Sequence, residues 1–266
     1  MRLASQIAFL LLVGVTAFAV SNAAARASDA KKIVTPVGEA VSGDIELHEV
    51  RSGVWIHTSY YTYPDGTRFP ANGLIVRDGD GLLLVDTAWG ELLTLALLER
   101  IKVEIGLPVH RAVVTHSHYD RIAGADILEA RGIEVRVHPL ALARTIGQGM
   151  PVPNDTLTGL DTPGASIRLG PVEVFYPGPG HAPDNLMVWV PSERVLFGGC
   201  AVRALTAGSL GARADADMGA WPGAIRRART RYAETEVIVP GHGKAGGHEL
   251  LDHTLRLFKG LPEGGN

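Results

Sequence analysis

The chain has 266 residues, 46% of them apolar and 20% charged, with a formal net charge of −3. That balance builds a globular core and excludes a disordered chain or a broadly basic nucleic-acid binder. A single cysteine, Cys200, excludes an internal disulfide framework. In chain order, Arg2 precedes the apolar run 7–20 (IAFLLLVGVTAFAV), and small residues follow at 21–27. This pattern predicts a signal peptide over 1–27, cut after Ala23 or Ala27, and a periplasmic product. The run is shorter than the ~20 residues of a membrane span, so no stable membrane anchor is expected.

Residues 28–266 read as one α/β domain. Apolar runs at 73–76 and 82–85 flank RDGDG and predict a hairpin. Apolar spacing at Leu92, Leu95, Leu98 and Ile101 predicts a helix over 91–105. RAVVT at 111–115 predicts a buried strand, 122–131 a helix closed by Gly132, and 134–138 another strand. Further strands are predicted at 172–176, 186–190, 195–197 and 236–239, and helices at 218–232 and 247–259. A strand meander followed by strand–helix units occurs twice. Two similar halves are therefore expected, packed sheet on sheet with helices outside.

Chemistry starts where the 111–115 strand ends. Residues 116–121 read His-Ser-His-Tyr-Asp-Arg. Two imidazoles two apart in an extended turn can face one metal, and the carboxylate two further on can face a second beside it. Neutral imidazole and carboxylate suit zinc. More candidates follow other apolar strands: His181 in PGPGHAPDN, Cys200 in FGGCAVR and His242 in VPGHGKAGG. A lone thiol in an exported chain is a liability unless something occupies it, a metal being one answer and burial the other. A further signal lies at 59–66, SYYTYPDG, which holds three of the six tyrosines: Tyr60, Tyr61 and Tyr63. PDG is turn chemistry, so a hairpin tip carrying exposed aromatics is expected. His48, His57, His110, His138, His248 and His253 read as surface or structural histidines.

These residues resemble the metallo-β-lactamase superfamily, specifically subclass B1, and are most similar to its Verona-type (VIM) branch. The stretches NGLIVRDGD (72–80), DTAWG (86–90), GLPV (106–109), FYPG (175–178), GGCA (198–201) and PGHG (240–243) carry the likeness. Arg121 stands where glyoxalase-like hydrolases and subclass B3 enzymes usually have histidine, and they lack a ligand cysteine. Subclass B2 has Asn in place of His116. The resemblance implies an αββα sandwich with a two-zinc site at one edge. His116, His118 and His181 would hold the first zinc, and Asp120, Cys200 and His242 the second.

The resemblance also implies hydrolysis of penicillins, cephalosporins and carbapenems by a monomer, with the β-lactam as its small-molecule partner. Asp120 would orient the attacking water. Asn185 would help polarise the lactam carbonyl, and Arg203, three after Cys200, would anchor the substrate carboxylate. Asp86 and Arg121 would support the metal ligands. Trp89 would edge the site, and the tyrosine hairpin would form a flap over the substrate. Ser117 and Tyr119 replace residues that vary in the family and line the pocket, and Pro183 stiffens the turn that carries Asn185. Another exported metallo-hydrolase of this fold, a lactonase or thioesterase, is the alternative.

Overall fold

Period-two alternation of apolar residues sends neighbouring side chains of one strand into different cores. The computed structural model describes residues 44–259. The signal segment expected at 1–27 lies outside them.

Seven strands form the first sheet, in chain order across it: β1 (Ile45–Arg51), β2 (Val54–Thr62), β3 (Arg68–Asp78), β4 (Gly81–Val85), β5 (Val109–Val114), β6 (Glu134–Val137) and β7 (Asp155–Thr156). β1 to β4 pair antiparallel, and β4 to β7 run parallel. The RDGDG turn joins β3 to β4 as expected, with Asp78 opposite Gly81. The second sheet has the order β12-β11-β10-β9-β8. Its strands are β8 (Ser166–Leu169), β9 (Val172–Phe175), β10 (Met187–Val190), β11 (Val195–Gly199) and β12 (Val237–Pro240). Only β11 and β12 pair parallel in it.

Leu74, Val76, Leu83 and Val85 of the first sheet meet Val174, Val188, Val190 and Phe197 of the second in one core. Their neighbours Ile75, Leu82 and Leu84 face the opposite way. They pack beneath α1 (Gly90–Glu104), α2 (Tyr119–Ile122), α3 (Ala125–Glu129) and α4 (Pro139–Gln148). Phe175, Trp189 and Leu196 pack beneath α5 (Trp221–Arg231) and α6 (Glu249–Lys259). The layers are α, β, β, α, as the resemblance implied. β4 reads GLLLV because both its faces are buried. Truncating Leu83, fully buried there, costs about 2–5 kcal/mol.

Two expectations change, and one helix is added. The helix expected over 122–131 is two short helices. A Cβ on Gly124 would stand 2.0 Å from Thr94 Oγ1, and the Gly124 N–H donates to Thr87 Oγ1 instead of continuing a helical ladder. The helix expected from 218 starts at Trp221, because the Asp217 carboxylate accepts the Ala220 N–H and holds 218–220 in turns. The α4 helix has no counterpart among the expected elements. Its start is nevertheless written in the sequence: His138 caps it, accepting the Leu140 N–H, and Pro139 follows.

Candidate metal centre

The ligand candidates all sit where strands end at one edge of the sandwich. His116 to His118 bridge β5 and α2, Cys200 follows β11, and His242 follows β12. His181 lies in the turn between β9 and β10. Two hydrogen bonds from Asn72 on β3, to Pro240 O at 2.9 Å and Gly243 O at 2.7 Å, tie the His242 turn to the first sheet. The Leu186 N–H donates to Thr115 O across the other sheet junction. A Cβ on Gly241 would lie 2.7 Å from the Cys200 sulfur, so only glycine lets the β12 turn come this close.

The six candidates converge in two adjoining groups. His118 Nδ1 lies 3.1 Å from both His116 Nε2 and His181 Nε2. Cys200 Sγ lies 3.3 Å from His242 Nε2 and 3.6 Å from Asp120 Oδ2, with 3.3 Å between those two atoms. His116, Asp120 and Cys200 also have ligand atoms within 4.8 Å of one another, which joins the groups. Tetrahedral zinc, with bonds of about 2.0–2.1 Å to nitrogen and about 2.3 Å to sulfur, places neighbouring ligand atoms roughly 3.3–3.6 Å apart. The three Asp–Cys–His edges fall within that range, and the two imidazole edges of 3.1 Å lie just below it.

Hydrogen bonds on the far side of three rings select the tautomer that presents a lone pair inward. His116 Nδ1–H faces Thr115 Oγ1 at 3.3 Å, and the Thr115 hydroxyl donates in turn to Asp86 Oδ2 at 2.9 Å. His118 Nε2–H donates to Asp215 Oδ2 at 2.8 Å. His242 Nδ1–H donates to Pro70 O at 2.7 Å. Neutral rings with lone pairs aimed at one another are unfavourable neighbours unless a cation lies between them. The donor set and its orientation therefore fit a metal.

The charges fit as well. Burial, then the neighbouring imidazoles, holds His116 well below its ordinary pKa. Burial and His118 take His181 down to about 3. Burial alone would raise the Asp120 carboxyl, but the Arg121 guanidinium and His242 keep it well below the usual carboxylate range. Burial pushes the Cys200 thiol up, against the pull of Arg121. Arg121 is fully buried. Its Nη2 lies 2.8 Å from Asp120, 3.1 Å from Cys200 Sγ and 2.8 Å from Gly241 O, while Nη1 meets Asn72 O and Asp86. Asp86 sits at φ 65°, a conformation in which it accepts the Thr115 N–H at 2.6 Å. Burial lifts its carboxyl to about 7 despite Arg121.

The family model of the metallo-beta-lactamase superfamily matches residues 66–242. A Bacillus sp. (strain 170) protein named metallo-beta-lactamase type 2 is 37% identical over 251 residues, covering 93% of this chain and 95% of that protein. Its Bacteroides fragilis namesake is 31% identical over 217 residues, covering 82% and 86%. The chain belongs to the metallo-β-lactamase superfamily. Its fold agrees with solved members. The Hirschia baltica metallo-beta-lactamase superposes with a TM-score of 0.78 at 32% identity, covering 80% of this chain and 97% of that one. The mono-zinc form of FIM-1 from Pseudomonas aeruginosa gives 0.77 at 35%, covering 81% and 95%.

In this metallo-β-lactamase fold an aromatic wall flanks the metal centre. Tyr61 stacks near Trp89 (centroids 5.4 Å) and Tyr63 (5.0 Å), and Phe69 lies 4.9 Å from the His242 ring. Tyr119 closes the row 6.2 Å from Trp89. Behind it a cavity of about 590 Å³ is lined by Tyr61, Trp89, Leu92, Tyr119, Met150 and Pro151. Tyr60 does not join the wall. Strand alternation turns it away from Tyr61. Its hydroxyl donates to Glu46 at 3.1 Å, and Arg68 covers its ring at 4.1 Å.

Asn185 also differs from expectation. Its Nδ2 donates to Gly178 O at 3.0 Å, its Oδ1 accepts the Ala182 N–H at 3.2 Å, and the residue is buried. Each polar end makes one bond within the His181 turn, so the amide braces that turn. Arg203 behaves otherwise. No ion pair of its guanidinium is found among the described residues, its Nε is buried there without a partner, and burial lowers its pKa. Phe69, Asn72, Arg144, Asp184 and Asp215 are structurally prominent here without having been singled out in the sequence. Phe69 and Asp184 had a readable signal, a strand neighbour of the tyrosines and an acid three after His181. Asp215 in RADAD had none.

Proposed function

We propose that the chain is a subclass B1 metallo-β-lactamase that holds two zinc ions and opens the lactam amide of penicillins, cephalosporins and carbapenems after export to the periplasm. The observation that carries this reading is the pair of adjoining ligand groups, three imidazoles beside an Asp–Cys–His set. Family membership and the names of the relatives support the reaction. The Verona-type likeness rests on the quoted stretches from 72–80 to 240–243, and export rests on the pattern at 1–27.

His116, His118 and His181 would hold one zinc, and Asp120, Cys200 and His242 the other. Zinc so held supplies Lewis-acid activation of the water and of the amide carbonyl. The chain's residues do the rest. Asp120, kept ionised by Arg121, orients the water toward the carbonyl carbon. Water oxygen bonds to that carbon, the C–N bond breaks, and the ring nitrogen takes up the proton. Arg203, a cation without an ion pair among the described residues and three residues beyond Cys200, meets the carboxylate beside that nitrogen through its guanidinium fork. Trp89, Tyr61 and Tyr63 cover the substrate's apolar substituents and exclude water. Asn185 acts through His181, whose turn it braces.

Nitrocefin hydrolysis, measured before and after dialysis against a chelator, tests the reading. Turnover is expected in the purified protein, its loss on chelation, and its return with Zn²⁺. Chelator-resistant turnover would remove the metal from the mechanism, and an inactive but metal-loaded protein would point to a different substrate.

A further inference from the structure

Arg144 on α4 reaches three groups of the metal centre at once. Its Nε lies 3.1 Å from Ser117 Oγ and 3.2 Å from Asp184 Oδ1, and its Nη2 lies 2.6 Å from Asp215 Oδ2. Each contact leads to a candidate ligand. Ser117 stands between His116 and His118, and its N–H donates to Asp184 Oδ2 at 2.9 Å. Asp184 is fully buried three residues after His181. Asp215 accepts the His118 Nε2–H at 2.8 Å. Gln148, one turn further along α4, adds a longer contact to Asp215 at 3.3 Å.

We infer that Asp215 and Arg144 are positioning residues for the metal held by His116, His118 and His181. The inference rests on that three-histidine site. Asp215 fixes the His118 tautomer: with the proton on Nε2, the Nδ1 lone pair must face the other two rings. Without Asp215 the proton can occupy either nitrogen and the ring can turn. Arg144 keeps Asp215 aimed at His118. It also clamps the Ser117 turn to the Asp184 turn, and so sets the distance between His118 and His181. The histidine cluster alone supplies donor atoms, and these two residues supply their orientation. Losing such a partner typically weakens metal binding about 10–100-fold.

Zinc-loaded wild type, Asp215→Ala, Asp215→Glu and Gln148→Ala are equilibrated with a chromophoric chelator and the retained zinc is measured. Parallel Co²⁺ loading separates the two sites, because only a metal on Cys200 gives thiolate-to-metal absorption. Asp215 is about one-third exposed, so its variants should fold. Asp215→Ala is expected to keep the thiolate band but to hold the other metal about 10–100-fold more weakly. Asp215→Glu should recover part of the affinity, and Gln148→Ala should change it no more than about two-fold, since its contact is long and outside the His118 bond. Unchanged retention in Asp215→Ala would overturn the inference. Equal loosening of both metals together with a lower Tm would also do so, by making Asp215 a general structural residue. If wild-type protein itself holds no metal, the three-histidine reading fails first.

Discussion

Cys200 and Arg121 are two buried groups that need each other and need a third. The thiol is surrounded by protein, and the guanidinium 3.1 Å away already answers Asp120 and approaches Asp86. A metal would hold the sulfur as thiolate and complete the charge balance. Cys200→Ser replaces that soft ligand with a neutral hydroxyl. The variant should hold close to one zinc per chain under limiting metal, with residual turnover, because the three histidines are untouched. Elemental analysis checks this, and two firmly held zincs would remove Cys200 from the ligand set. Arg203→Ala makes a different kind of test. A charge-assisted hydrogen bond contributes roughly 1.5–3 kcal/mol, so kcat/KM on carboxylate substrates should fall about 10–100-fold. A methyl ester of the same substrate should lose far less. Equal losses would indicate loop damage, and no loss would return Arg203 to a surface role.

The β2–β3 hairpin carries most of the aromatic wall beside the candidate metal centre. Tyr61 pairs directly with Phe69 across the two strands, so both present to the same face, and Tyr63 rejoins them two residues on. They rest against Trp89, and Tyr61, Tyr63 and Phe69 remain 38–43% exposed. Contacts of this type are apolar and bind ground state and transition state alike. Replacing Tyr61 and Phe69 with Ala should therefore raise KM about ten-fold at nearly constant kcat, corresponding to ~1.4 kcal/mol of lost binding. Tyr60→Phe, which removes only the bond to Glu46, should leave KM unchanged. Steady-state kinetics on several β-lactams decides between this and a purely structural wall. If the Ala variants match wild type, the aromatics serve packing alone.

Across the whole molecule, the two sheets are held at one edge by buried polar groups that must stay in one charge state. His57 on β2 is an example outside the six ligand candidates. Its Nε2–H donates to Val85 O at 3.1 Å and its Nδ1 is buried without a partner. Burial, opposed by the Val85 bond, lowers its pKa to about 4. Below about pH 6.5 the unfolded chain takes up a proton on this ring that the folded chain refuses until about pH 4. Stability should thus be constant with respect to His57 above pH 6.5 and fall between pH 6.5 and 4, by about 3 kcal/mol at one pH unit per 1.36 kcal/mol. His57→Gln keeps a donor for Val85 and cannot titrate, so its stability curve should be flatter than wild type by about one proton over that window. Denaturant unfolding at several pH values measures the difference. Parallel curves would show that His57 gains its proton in the folded state too.

What the sequence determined by itself was whatever is written locally. HxHxD after a buried strand, single His or Cys residues in turns after other strands, and the meander-then-helix pattern were enough to read the layered fold and the six ligand candidates, because strand ends and turn chemistry are short-range. Tertiary structure alone decided the rest. The 122–131 helix breaks at Gly124, whose N–H is taken by Thr87 Oγ1 from 37 residues away and whose lack of a side chain lets Thr94 of α1 pack against it. Tyr60 leaves the aromatic wall because sheet pairing sets which face it takes, and Asn185 is folded into its own turn by Gly178 and Ala182. Asp215 meets His118 from 97 residues away in the chain, and Arg144 meets Asp215 from 71 residues away. No local pattern marks such residues, because their role lies in a hydrogen-bond partner that only packing brings within reach.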